Sequence, residues 1–158
     1  MNLRQQAETA LAGVTVGCPA RLDLKDGPRQ VNCDLIDVNT LACEFPALTL
    51  STPELAGASL DALKATSARL VARLTYLLEP ISQIEADGEH CVVQLRSSPP
   101  KRDENGSCYY ELLVRRGGDL ELRRWRKRLG ESRAAISCIV TREVLTRLIG
   151  DFDEAVDA

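Results

Sequence analysis

The chain opens with apolar positions at helical spacing: Leu3, Ala7, Ala10, Leu11 and Val14 share one side of a helix that Gly13 is placed to end. From Val14 the period becomes two. Val14, Val16, Cys18, Ala20, Leu22 and Leu24 alternate with Thr15, Gly17, Pro19, Arg21, Asp23 and Lys25, which predicts one long strand with a wet face. Pro19 cannot donate a ladder hydrogen bond, so the strand should lie at a sheet edge or carry a bulge there. "KDGPR" makes a turn, Val31, Cys33 and Leu35 form a second strand, "VNT" turns the chain again, and Leu41, Cys43 and Phe45 start a third. Short connections between all three predict an antiparallel meander.

"STPEL" is a helix start: Ser51 or Thr52 caps, Pro53 suits the first turn and Glu54 favours the positive helix end. "AGAS" interrupts it, with Ser59 as a second cap. Leu60, Leu63, Ser67, Leu70, Leu74 and Leu77 then recur at spacings of three and four, widened by Val71 and Leu78, and predict a long helix ending at Glu79-Pro80. Residues 81–86 and 90–97 flank "DGE" as a hairpin, and "SSPPKRDENG" is a long polar loop. Strands follow over 107–115, 119–126 and 134–140. Thr141 caps a last helix whose core face is Val144, Leu145, Leu148, Ile149 and Phe152.

The order α-βββ-α-ββββ(β)-α predicts an α+β fold, an antiparallel sheet of meander and hairpins packed by a long central helix and by N- and C-terminal helices. A chain of 158 residues suits one domain. The alternative is two small lobes, 1–50 and 81–158, joined by a helix over 52–79. The element order is similar to that of small acidic chaperones that bind bacterial secretion substrates, with two or three strands more; the similarity is one of topology alone.

The stretch "LELRRWRKRLG", residues 120–130, sets five cationic side chains around the only tryptophan. Its register against "SCYYELLVR" can be derived from pairing chemistry. A three-residue loop of Arg116, Gly117 and Gly118 sets Val114 against Leu120, Leu112 against Leu122 and Tyr110 beside Arg124 on one face. On the other it sets Arg115 against Asp119, Glu111 against Arg123 and Tyr109 against Trp125, alternating ion pairs with an aromatic pair. A two-residue loop would place Val114 on Glu121 and Leu112 on Arg123.

Net charge is -3, unevenly spread: residues 96–133 hold eleven Lys/Arg and six Asp/Glu, and the rest holds nine and seventeen. Lys101, Arg102, Arg124, Arg126, Lys127 and Arg128 are therefore the candidate anion or partner patch, a small cationic end on an acidic body. The plain alternative is a solvated sheet edge, where Lys and Arg discourage strand pairing.

No catalytic, cofactor or metal constellation is legible. His90 is the only histidine, and its neighbour Cys91 points to the opposite face of a strand. Six cysteines, none closer than ten residues to another, lack the spacing of zinc or redox motifs and read as buried, reduced thiols. No stretch approaches a membrane span, and the N-terminus lacks the pattern of a signal peptide, which implies the cytoplasm. The expectation is a non-enzymatic adaptor or chaperone-like domain for an unknown protein partner, with self-association open. The rival is a nucleic-acid or polyanion binder using 124–128 and 101–102.

Overall fold

The structure, a computed structural model, describes residues 1–77 and 79–157. Helix α1 (Leu3–Ala12) starts with a reciprocal cap between Asn2 and Gln5 and buries Leu3, Ala7 and Leu11. Strands β1 (Ala20–Asp26) and β2 (Arg29–Leu35) form a hairpin in which Asp26 faces Arg29 across Gly27, whose φ of 58° suits the turn. Short β3 (Asp37–Val38) and β4 (Ala42–Phe45) precede β5 (Ala47–Ser51). Thr52 caps a single 3-10 turn over Pro53–Leu55, and Ser59, donated to by the Ala62 amide at 3.1 Å, caps α2 (Leu60–Arg73). Next come β6 (Ile81–Asp87), β7 (Val92–Ser97), β8 (Lys101–Asp103), β9 (Gly106–Arg115), β10 (Asp119–Lys127), β11 (Ala134–Ile136) and β12 (Cys138–Thr141). Thr141 caps α3 (Arg142–Val156), as its sequence implies.

The fold is α+β. A nine-stranded, antiparallel main sheet has the order β1-β2-β5-β10-β9-β7-β6, with β11 added to β10 and β8 to β9; a three-stranded sheet has the order β12-β4-β3. Strands from both sides of α2 thus join one sheet, through the pairing of β5 with β10. Leu22, Val31, Cys33, Leu48, Leu50, Leu112, Val114, Leu120 and Leu122 line its inner face and pack with Leu63 and Leu70 of α2 and Leu145, Leu148, Ile149 and Phe152 of α3.

The predicted first strand is shorter than its alternation suggests. Residues 14–19 form turns in which Gly17 has φ 82° and the Cys18 amide bonds the Thr15 carbonyl, so Val16 and Cys18 are exposed and β1 begins at Ala20. Pro19 sits just ahead of an edge strand, in keeping with its missing donor. The predicted meander divides: Cys43 and Phe45 belong to β4 in the small sheet, and β5 takes the place beside β2. Pro46 marks the corner, since it cannot continue the ladder. The 134–140 strand breaks likewise at Ser137, sending β11 to the main sheet and β12 to the small one.

The central helix ends at Arg73, ahead of its apolar pattern. Leu74 leaves helical geometry (φ -83°, ψ 66°) while staying buried, and Tyr76 turns its hydroxyl to Asp151 at 2.7 Å and its ring under Arg147. Leu78, one of the positions expected to widen that pattern, lies outside the described residues. The polar loop before β9 contains a strand, β8, because Asp103 and Gly106 close a tight hairpin.

Arg29 holds α3 against the sheet, reaching Glu54 at 2.7 Å, Asp153 at 2.8 Å and Asp157 at 2.6 Å. All six cysteines are free thiols, and burial pushes Cys33 and Cys43 upward and Cys138 up to about 12. Alkylation of the native protein with iodoacetamide should therefore modify Cys18 fast and the other five only on unfolding, as peptide mass mapping over time would show.

Gly106 has φ 120°, and a Cβ there would lie 2.4 Å from the Lys127 carbonyl oxygen. Gly106→Ala should cost about 2–4 kcal/mol, the sum of backbone strain and overpacking, seen as a lower urea midpoint at unchanged slope.

Candidate functional site

Pairing between β9 and β10 has the expected three-residue turn: Arg115 faces Asp119, Leu112 faces Leu122, Tyr110 faces Arg124 and Tyr109 faces Trp125. Because alternate residues of a strand point to opposite faces, this register separates the cations of β10. Arg124 and Arg126 follow Leu120 and Leu122 on the inner face. Arg123 and Lys127 share the outer face with Trp125. The β8 hairpin extends both rows, placing Lys101 opposite Cys108 and Arg102 opposite Ser107. Lys101, Cys108 and Arg126 form one cross-strand row and Arg102, Ser107 and Lys127 the next.

On the outer face the charges are largely satisfied. Arg115 pairs with Asp119 at 2.5 Å and Glu121 at 3.3 Å, and Arg123 reaches Glu121 at 2.7 Å. Burial opposes the ionisation of Glu121, but Arg123 and Arg115 outweigh it and hold the carboxyl below the usual range. Arg123 and Glu111 face one another in register as expected, yet they make no ion pair. Glu111 is buried and takes Arg133 at 2.6 Å and the Gln94 amide at 2.7 Å instead. Arg133 also lies 3.8 Å from the centre of the Trp125 ring and donates to the Tyr109 hydroxyl. Arg96 covers Tyr109 at 4.4 Å. Neither ring is left open as a base-stacking platform.

The inner face carries the larger departure. Arg124, grouped with the solvent-facing patch on its sequence, is only 8% exposed. Its guanidinium stacks 4.3 Å from the centre of the Tyr110 ring and lies 3.6 Å from Glu79, which is 7% exposed. Its parity with Leu120 and Leu122 was the available signal. Glu79 was unforeseen, because it reaches the core only through the early end of α2. Ser97 bridges these groups, donating to Glu79 at 3.5 Å and accepting the Tyr110 amide at 2.8 Å. Burial pushes the Tyr110 hydroxyl up to about 12 against the opposing pull of Arg124.

Where the helices stop covering this face, a cleft of about 250 Å³ opens, lined by Lys101, Arg124, Arg126, Tyr110, Ile136 and Ile139 among others. Nη1 of Arg124 and Nε of Arg126 are buried without a hydrogen-bond partner among the described residues. A second, larger depression of about 380 Å³ gathers Arg102, Lys127 and Arg128 beside Leu129 and Gly130. The six predicted patch residues thus divide between these two depressions, three to each, with Asp103 on the wall of both and Arg126 and Arg128 meeting again in a smaller third one beside Glu131. Arg133, Ile136 and Ile139 escaped the sequence reading because they come from beyond the hairpin.

His90 stands at an exposed hairpin tip with Nδ1 2.7 Å from Asp87 Oδ2, while Cys91 contacts the Gly88 carbonyl and Arg116. The described residues contain no cluster of three or more metal-ligating groups and no helix long and apolar enough to cross a membrane. Comparison with family models, curated proteins and solved structures found no match to the chain.

Arg124→Met should destabilise the protein by about 3 kcal/mol, since it leaves the Glu79 charge buried and uncompensated. The double variant Glu79→Gln/Arg124→Met should recover most of that loss in urea titrations.

Proposed function

We propose that this chain is a non-enzymatic, cytoplasmic adaptor or chaperone-like domain that binds an extended segment of another protein along the outer edge of β12. The observation that carries this reading is the distribution of exposed apolar side chains. Seven large ones face solvent among the described residues, and four of them belong to the three-stranded sheet: Ile139 and Leu41 at β12 and the turn beside it, and Val16 and Ile36 beside β3 at its other edge. Leu41 is 76% exposed in the β3–β4 turn and Ile139 is 64% exposed on β12. Clustered exposed apolar residues favour interaction surfaces, whereas scattered ones need no explanation. β12 is the last strand of its sheet, so a partner strand has a free edge to extend, with Ile139 as an apolar contact. Six free thiols suit a reducing compartment.

The rival reading, a nucleic acid on the basic end, is favoured by the strand pairing that draws Lys101, Arg102, Arg126 and Lys127 together. Against it stand the division of those cations between two faces and the covering of Trp125 by Arg133.

A photo-crosslinking amino acid placed at 41 or 139 in cells should give one discrete adduct with another protein, and none at the exposed control position 64. The purified partner should bind the wild-type chain and lose about tenfold or more in affinity with Ile139→Asp, but not with Leu129→Asp. An adduct at twice the chain's own mass would overturn the reading in favour of self-association. Equal, diffuse adducts from all three positions would remove the binding face altogether.

A further inference from the structure

We infer that the cleft beside β12 is a carboxylate-binding site, and that the partner segment brings a carboxylate to it. The inference rests on the protein-binding reading for the source of the ligand, but the cleft's chemistry stands by itself. Three cations, Lys101, Arg124 and Arg126, line it, and only Asp103 on its wall and Glu79 behind it oppose them, so the cleft is left net cationic.

Arg124 is the centre of the site. Buried guanidinium groups are normally saturated with acceptors, because each unmet donor keeps its desolvation penalty. Here Nη1 is the nitrogen turned to Glu79, which balances its charge from 3.6 Å, beyond hydrogen-bonding range, so this atom has no acceptor among the described residues and the remaining edge of the guanidinium is the one that lines the cleft. Arg126 Nε is in the same condition. Stacking on Tyr110 fixes the plane of the Arg124 guanidinium, which prepares it for a planar, two-oxygen acceptor. Contrast Glu111 on the opposite face, whose oxygens are taken up by Arg133 and Gln94.

The walls select among anions. Ile136 and Ile139 make one side apolar, so the ligand carries hydrocarbon next to its charge. A nucleic-acid strand would need a continuous cationic track and a free ring, and alternation along β10 denies it the first while Arg124 over Tyr110 denies it the second. Ile139 belongs both to the cleft and to the proposed binding edge. A segment lying along β12 therefore passes the cleft, and either its C-terminal carboxylate or an acidic side chain can enter.

Chemical-shift mapping on the isotope-labelled full chain tests the assignment. N-acetyl-leucine represents a C-terminal carboxylate, N-acetyl-glutamate α-amide represents a side-chain carboxylate, and N-acetyl-leucinamide is the uncharged control. One of the two acids should give saturable shifts confined to residues around 101, 108, 124, 126 and 136, about tenfold weaker in Lys101→Gln and Arg126→Gln, which leave the Glu79 pair intact. The stronger acid identifies the source. Equal shifts from the amide, or shifts unchanged in both variants, would overturn the site. Tighter, salt-sensitive binding of a twelve-nucleotide oligo-dT spreading to 102, 127 and 128 would replace it with a nucleic-acid surface. Localised acid binding without any adduct from 41 or 139 would keep the cleft and discard the partner reading. A discrete adduct whose partner binds both variants as well as wild type would do the reverse.

Discussion

The turn of three residues between β9 and β10 governs which face receives each charged group along those two strands. Gly118 takes φ 108°, and its carbonyl accepts the Thr52 amide at 2.7 Å, so the turn is held from outside as well as by its own geometry. A shift of one residue would exchange the two faces of a strand and set Arg123 and Trp125 into the core. With the observed register, Leu120 and Leu122 face the helices, Trp125 faces out beneath Arg133, and Arg124 is drawn inside together with a counter-charge. β10 then serves as a spine, pairing with β9 on one side and with β5 and β11 in succession on the other.

That succession links architecture to the candidate cleft. β5 leaves β10 at Arg123, and β11 takes over from Arg124 to Arg126. Both partner chains then cross to the small sheet, one at Pro46 and the other at Ser137. The small sheet consequently splays from the main one beside Arg124 and Arg126, and the gap between them becomes the cleft. An anion site here needs no dedicated loop. It follows from two strands bending away where the spine runs on.

Local rules of the sequence carried further in some places than in others. The hairpin register was readable because both its apolar and its charged pairs improve together, and the caps at Ser59 and Thr141 because capping is a property of four consecutive residues. The inward position of Arg124 was implied by the same register, although charge suggested solvent. What escaped were the features set by distant partners: Asp151 and Arg147 gather Tyr76 and cut α2 short, β12 removes β4 from the meander across more than ninety residues, and Arg133 takes Glu111 from Arg123. In each case alternation or periodicity remained locally valid and lost to a contact that no short window contains.

Helix α1 has a role beyond covering apolar surface. The Gln6 side-chain amide donates to the Lys25 carbonyl at 2.8 Å and accepts the Lys25 amide at 3.3 Å, which is the hydrogen-bonding pattern that a further strand would offer to β1. One glutamine thus takes the place of a next strand at Lys25. A further strand pairing at Lys25 would first require the N-terminal helix to detach, so a ten-residue helix guards that point of the edge through a single amide group.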